Sequence, residues 1–110
     1  MRVLITGGAG YIGSTLTSIL LEAGHQVLAV DNLSHGGRAL LGFWSHPNFE
    51  FVPGDVRGTD FLQRAVEGSS AVVHLAAIVG DPACARDPDL ARSVNLDASL
   101  ALLDILHQHT

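Results

Sequence analysis

A chain of 110 residues, 47% hydrophobic and 15% charged, carries enough apolar material for one compact core and too much for a disordered tail. Its six basic residues are all arginine and stand against eleven acidic ones, a net charge of -5, so no basic stripe exists to displace counterions from a phosphate backbone and nucleic acid is a poor partner. The one cysteine, Cys84, excludes an internal disulfide and fits a reducing compartment, with the cytoplasm the expected location; no apolar stretch approaches the roughly 20 residues of a membrane span, so no membrane partner is expected.

Val3-Leu4-Ile5, apolar with β-branched members and followed by glycines, reads as a strand buried on both faces, and it is far too short for a signal-peptide core. Ile12, Leu16, Ile19, Leu20 and Ala23 then recur at helical spacing before the left-handed stop at Gly24, which predicts a helix after Gly13 with one buried face. Gln26 to Val30 is the second predicted strand, ended by Asp31-Asn32, and Ser34-His35-Gly36-Gly37 is a flexible loop. Whether Arg38 to Trp44 continues as a short helix stays open at this point. Phe49 to Val52 resembles a third strand closed by Pro53-Gly54, and Thr59 or Asp60 is expected to cap a helix carrying Phe61, Leu62, Ala65 and Val66 before Gly68.

Ala71 to Leu75 is the fourth strand. A polar loop with Pro82 is expected to run to Asp87-Pro88, where Asp87 caps the last helix and Pro88 occupies its first turn. That helix carries one apolar stripe at Leu90, Val94, Ala98, Ala101, Leu102, Ile105 and Leu106 and a second at Leu96, Leu100 and Leu103, which implies burial on two sides. Strands alternating with helices at this spacing predict parallel βαβ units with right-handed crossovers and strand order 3-2-1-4. No solenoid repeat, low-complexity segment or interdomain linker interrupts the chain. A fifth strand is expected beyond Thr110. Without it, Val72 to Leu75 would present an unpaired edge beside a helix apolar on two sides, so self-association through the fourth strand or last helix is expected.

Thr6-Gly7-Gly8-Ala9-Gly10-Tyr11-Ile12-Gly13 contains two overlapping spacings, Gly7-x-x-Gly10-x-x-Gly13 and Gly8-x-Gly10-x-x-Gly13. Both suit a turn that leaves a strand sharply, lets backbone N–H groups approach a pyrophosphate and packs the next helix close to the sheet. The helix start adds partial positive charge. Glycine spacing alone is a weak signal; here a strand precedes it, an amphipathic helix follows, and an acid ends the next strand. That acid, Asp31, would accept both hydroxyls of an adenosine ribose and repel a 2′-phosphate, which favours NAD over NADP, although Arg38 in the adjoining loop is placed to attract such a phosphate. The expected fold is a Rossmann-type, doubly wound parallel α/β sheet, partial at about four strands.

With these motifs in order, the sequence resembles the N-terminal half of the extended short-chain dehydrogenase/reductase family, particularly its NAD-dependent sugar-nucleotide epimerases and dehydratases. Thr6 to Gly13 resembles the family's glycine signature, Asp31-Asn32-Leu33-Ser34 its ribose-binding strand end, and Gly54-Asp55-Val56-Arg57 its adenine-contacting segment. His74-Leu75-Ala76-Ala77 resembles its loop beside the cofactor and Val94-Asn95 its helix asparagine. The resemblance implies a cofactor site of Gly7, Gly10, Tyr11, Ile12, Gly13, Asp31, Asn32, Asp55, Val56, Leu75, Ala76 and Ala77, with Asp55 meeting the adenine amino group and Ala76 and Ala77 passing under the cofactor.

In that family a tyrosine acts on a sugar hydroxyl and a lysine four residues later lowers its pKa, while a serine or threonine positions the substrate. Here lysine is absent and the one tyrosine, Tyr11, lies in the phosphate turn, so no catalytic residue is assigned. Residues 1–110 are therefore expected to be an NAD(P)-binding Rossmann domain truncated before the catalytic Tyr/Lys segment. A sugar nucleotide is a partner only in a full-length enzyme, and Ile78-Val79-Gly80-Asp81-Pro82, which departs from what a UDP-galactose epimerase would carry, leaves its identity open. His74 reads as a structural histidine, Asn95 as a helix polar residue bonded to a neighbouring loop, and Cys84 as inert. His107 and His109, two apart at a helix end, do not share a face and make no metal pair. Two other readings compete: a non-catalytic dinucleotide-binding or protein-pairing module, and a methyl-donor site, which the glycine spacing and Asp31-Asn32-Leu33-Ser34 disfavour.

Overall fold

The computed structural model describes residues 1–78 and 81–108. The sequence readings that fall on Val79, Gly80, His109 and Thr110 lie outside the described residues. Four strands, β1 (Arg2–Thr6), β2 (Gln26–Asp31), β3 (Phe49–Pro53) and β4 (Ala71–His74), form one parallel sheet in the order β3-β2-β1-β4. The expected strand order is thus observed. Val3 faces Val27 and Ala71 across the ladder, and Thr6 faces Val30 and His74.

Both faces of the sheet are covered, which is why the central strands read as continuous apolar runs. On one face Leu4, Leu28 and Val30 pack with Leu62, Ala65 and Val66 of α2 (Thr59–Val66) and with Ala98, Leu102 and Ile105 of α5 (Ala98–Gln108). On the other, Val3, Ile5 and Val27 pack with Leu21 of α1 (Tyr11–Glu22), with Leu16, Leu20 and Phe43 against them. The chain winds from β1 outward to β3 and returns to the other side of β1, so the order reverses between β1 and β4. A crevice at the C-terminal ends of the strands opens at such a reversal.

Helix α1 begins at Tyr11, earlier than expected, and its buried residues are Gly13, Thr17 and Leu21. Ile12 and Ile19 are 65% and 58% exposed and Ala23 is exposed, so the expected face is rotated. The reason is Gly13: a residue without a side chain brings the helix start against the turn after β1, and the face in line with it is the one that packs. Thr17 satisfies its buried hydroxyl by donating to the Gly13 carbonyl at 2.8 Å. The stop at Gly24 is as expected. With φ of 90°, it lets its own N–H bond the Leu21 carbonyl and that of His25 bond the Leu20 carbonyl, a Schellman closure.

Arg38–Phe43 forms a short 3-10 helix. Helix α2 is capped by neither Thr59 nor Asp60, because Gly58 takes the cap position and both residues fall inside the first turn. Asp60 there still favours the positive helix end. Pro53-Gly54 closes β3, and Gly54 leaves the room that the Phe61 ring fills. The expected polar loop around Pro82 contains a short helix instead, α3 (Asp81–Arg86). Proline in a first turn sacrifices no intrahelical bond, and Ala83-Cys84-Ala85 follows it without a breaker.

Asp87 caps α4 (Pro88–Arg92) by accepting from the Leu90 N–H at 3.1 Å, with Pro88 in the first turn as expected. The last helix is not uniform. A π-helical turn, Ser93–Asp97, separates α4 from α5 and winds extra chain into the rod. Of its two apolar stripes, the one through Ala98, Leu102 and Ile105 is buried, whereas Leu96, Leu100 and Leu103 are 44%, 54% and 51% exposed. Burial on two sides is therefore not observed among the described residues. No helix is long and apolar enough to cross a membrane, among the described residues.

Candidate dinucleotide site

The turn after β1 is built by four glycines with different jobs. Gly7 has φ of 71°, and a Cβ there would lie 2.8 Å from the Ala76 nitrogen. A Cβ on Gly8 would lie 2.6 Å from the Ala29 side chain, and one on Gly13 would lie 2.5 Å from the Gly7 carbonyl oxygen and 2.8 Å from the Gly8 Cα. The protein's own packing thus requires glycine at these three. Gly10 is different: an added Cβ would meet only the Gly7 oxygen, at 3.3 Å, and its φ of -76° suits any residue. The space beside Gly10 is open to something outside the chain.

That space lies at the start of α1. The first helical bond runs from the Ser14 N–H to the Gly10 carbonyl at 2.9 Å, and no side chain caps the helix. Helix geometry leaves the N–H groups of Tyr11, Ile12 and Gly13 without intrahelical acceptors, and no acidic side chain sits in the first turn. The side chains of Tyr11 and Ile12 are 87% and 65% exposed. The residues fit an anion at this position.

Two carboxylates stand at the neighbouring strand ends. Asp31 closes β2, accepting from the Leu33 N–H at 2.8 Å and from the Ala9 N–H at 3.0 Å, so it bridges the β2 end and the glycine turn. Asn32 folds its side-chain oxygen back onto the Ser34 N–H at 3.0 Å, shaping the same loop. The Gly54 N–H donates to the Asp31 carbonyl at 3.1 Å, which brings the end of β3 alongside. Asp55 follows directly, held by the backbone N–H of Arg57 at 2.9 Å and by its guanidinium. That guanidinium keeps the Asp55 carboxyl below the usual carboxylate range. Val56 is 6% exposed and belongs to the core, which leaves only its backbone for a ligand. Arg38 is exposed on the 3-10 helix.

On the other side of the turn, Leu75 and Ala76 leave β4 with their N–H groups on the Thr6 hydroxyl at 3.0 and 3.2 Å, and Ala77 is exposed. Asn95, in the π-helical turn, donates to the Ile78 carbonyl at 2.8 Å and accepts from the Ile78 N–H at 2.7 Å. Its expected bond to a neighbouring loop is therefore present. His74 touches Thr6 through Nδ1 at 2.6 Å and Ser99 through Nε2 at 3.1 Å, and burial pushes its pKa down. Sequence reasoning missed Thr6 and Ser99. The one available signal was a hydroxyl amid an otherwise apolar buried strand, since a buried hydroxyl needs partners. Among the described residues, no group of His, Cys, Asp and Glu is arranged to hold a metal ion.

The model of the NAD dependent epimerase/dehydratase family matches residues 3–110. The chain is 34% identical over 113 residues to the CDP-paratose 2-epimerase of Salmonella typhi, covering 99% of this chain and 33% of that protein. Its fold superposes on a Thermus thermophilus UDP-glucose 4-epimerase solved with NAD at a TM-score of 0.85 and 36% identity, covering 98% of this chain and 34% of the other. A Streptomyces venezuelae dTDP-glucose 4,6-dehydratase, solved with NAD bound, gives a TM-score of 0.88 at 31% identity, over 96% of this chain and 35% of that one. The chain thus spans about a third of the length of the relatives it matches.

Proposed function

The chain belongs to the NAD dependent epimerase/dehydratase family, and from that premise we propose that it is the NAD-binding portion of an enzyme that epimerises or dehydrates a sugar nucleotide. The observation that carries this reading is the uncapped start of α1, with open space at Gly10, set beside the carboxylates of Asp31 and Asp55. Gly7, Gly10, Tyr11, Ile12 and Gly13 would hold the pyrophosphate, Asp31 and Asn32 the adenosine ribose, and Asp55 and the Val56 backbone the adenine. Leu75, Ala76 and Ala77 would lie under the remainder. When bound, NAD supplies a hydride acceptor for the sugar ring. The Asp31 carboxylate at the end of β2 would repel a 2′-phosphate, which favours NAD over NADP.

In this reading residues 1–110 form the NAD(P)-binding Rossmann domain and carry no catalysis alone, since the chain has no lysine and its one tyrosine belongs to the phosphate turn. A cytoplasmic setting is part of the same proposal, supported by the single cysteine. Titration of NADH, NADPH and S-adenosylmethionine in parallel, read by ligand fluorescence and calorimetry, tests it. NADH is expected to bind more tightly than NADPH, with no turnover of any sugar nucleotide. Failure to bind NADH, or binding of S-adenosylmethionine alone, would overturn it.

A second reading concerns assembly. Leu96, Leu100 and Leu103 are exposed, and β4 pairs only with β1 among the described residues. For the chain of residues 1–110 by itself we propose self-association through these surfaces, which the exposed leucines support. Light scattering over a concentration series is expected to show oligomers, and a monodisperse monomer at high concentration would refute it.

A further inference from the structure

The segment from Leu75 to Ile78 is fastened at both ends, and the two fastenings are joined through one imidazole. The Thr6 hydroxyl accepts the N–H groups of Leu75 and Ala76, at 3.0 and 3.2 Å, the first of them shared with the Thr6 carbonyl at 3.1 Å. With N–H donors already on its oxygen, the hydroxyl gives its own proton to His74 Nδ1, 2.6 Å away, the direction that also suits Ser99, whose proton goes to the Asn95 carbonyl. An imidazole that accepts at Nδ1 carries its proton on Nε2, which then donates to the Ser99 hydroxyl at 3.1 Å. Ser99 passes its proton to the Asn95 carbonyl at 2.8 Å, and the Asn95 side chain grips both backbone groups of Ile78. These bonds form a series with one consistent direction, from β1 through β4 to the helix beyond.

The position matters as much as the bonding. A Cβ on Gly7 would strike Ala76, so this segment runs directly beside the phosphate turn. Asp31 and Asp55 stand at the ends of β2 and β3, on the opposite side of β1 from β4. A ligand with its adenosine toward β2 and β3 extends its other half toward β1 and β4, over Leu75 to Ala77.

We infer that Thr6 and His74 are positioning residues which, through Ser99 and Asn95, set the height and aim of residues 75–78 for the half of a dinucleotide beyond the pyrophosphate. The inference rests on the dinucleotide reading above. It gives His74 a task beyond that of a structural histidine, because its ring joins Thr6, whose hydroxyl holds Leu75 and Ala76, to Ser99 and so to Asn95, which holds Ile78. The two links are separable. His74→Asn retains an acceptor near the Nδ1 position and keeps the Thr6 link, His74→Gln retains a donor near the Nε2 position and keeps the Ser99 link, and His74→Leu keeps neither.

The test measures NADH and ADP affinity for the 110-residue chain and for Thr6→Val, Thr6→Ser, His74→Leu, His74→Asn and His74→Gln. ADP reports the adenosine and pyrophosphate contacts alone. Thr6→Val and His74→Leu are expected to weaken NADH roughly ten-fold, the worth of about one well-made buried hydrogen bond, while ADP affinity stays within about two-fold. Thr6→Ser restores NADH binding, and His74→Asn and His74→Gln each restore part of it. Equal loss of NADH and ADP would show that these residues merely support the fold, and unchanged NADH affinity in Thr6→Val and His74→Leu would show that the segment needs no positioning. Either outcome overturns the inference. Absence of NADH and ADP binding by the unaltered chain would instead overturn the dinucleotide reading itself.

Discussion

Replacing Gly13 and Gly10 in turn by alanine separates what the fold needs from what a ligand needs. At Gly13 the added Cβ would sit 2.5 Å from the Gly7 carbonyl oxygen and 2.8 Å from the Gly8 Cα, both backbone atoms that no side-chain rotation can move aside. Alanine inside a helix otherwise gains about 0.4–1 kcal/mol through the unfolded chain, but overpacking of this kind costs about 1–3 kcal/mol. The net expectation for Gly13→Ala is a loss of about 1–2 kcal/mol, which lowers the melting temperature of a domain this size by roughly 5–10 °C. At Gly10 the nearest atom to an added Cβ is 3.3 Å away and the backbone is extended. Losing glycine as the helix cap costs about 1 kcal/mol or less, and the entropy gain offsets part of it, so Gly10→Ala should stay within about 1 kcal/mol of the parent. Its effect is instead expected on NADH, weakened roughly ten-fold or more because a methyl group fills the approach to the α1 N–H groups. Chemical denaturation and NADH titration on the same samples check both values. If the two variants lose stability equally, or if Gly10→Ala binds NADH like the parent, the division of labour among the glycines is wrong.

Asp31→Asn removes the charge that would turn away a 2′-phosphate, so the ratio of NADPH to NADH affinity is expected to rise several-fold; an unchanged ratio would place discrimination elsewhere. Asp55 has its pKa lowered from 3.8, first by the hydrogen bond from Arg57. A depressed carboxylate stabilises the fold above its unfolded value and loses that contribution as pH falls through the folded one. Stability of the parent is therefore expected to fall below pH of about 4 more steeply than that of Arg57→Gln, read as urea midpoints from pH 3 to 6. Leu62, fully buried between α2 and the sheet, should cost about 2–5 kcal/mol when cut to alanine, and a loss under about 1 kcal/mol would mean this face of the core is looser than its packing indicates.

Much of this architecture is legible in the sequence because burial on both faces writes itself as unbroken apolar runs. Val3 to Ile5 and Val27 to Val30 could hardly be anything else, and Gly24 announced its helix end by residue type alone. The errors have a common physical source. On α1, hydrophobicity points to Leu16 and Leu20, which do pack, and equally to Ile12 and Ile19, which are exposed, whereas Gly13 and Thr17, residues whose value lies in being small and in bonding locally, are buried. The π-helical turn left no trace in the spacing of Val94 and Ala98, which suits an α-helix equally well. For the site, Gly7, Gly10, Gly13, Asp31 and Asp55 stand together at adjacent strand ends because their spacing follows a local strand, turn and helix pattern. Thr6, His74 and Ser99 meet only through tertiary contacts separated by up to 68 residues and one bond at a time, and no local pattern records such a meeting.

The π-helical turn also implies something about how this helix tolerates change. A rod that already holds one residue more than its winding requires can lose one and close up as ordinary α-helix, with the segments before and after keeping their facing. Deletion of the exposed Leu96 would therefore leave Leu102 and Ile105 seated on the sheet. What it would spoil is aim: Asn95 would swing off Ile78, and the strap beside the glycine turn would be cut loose from a protein that otherwise remained folded. The extra residue in this helix thus serves to point one carboxamide, and a single-residue deletion there is expected to damage the candidate site while leaving the core intact.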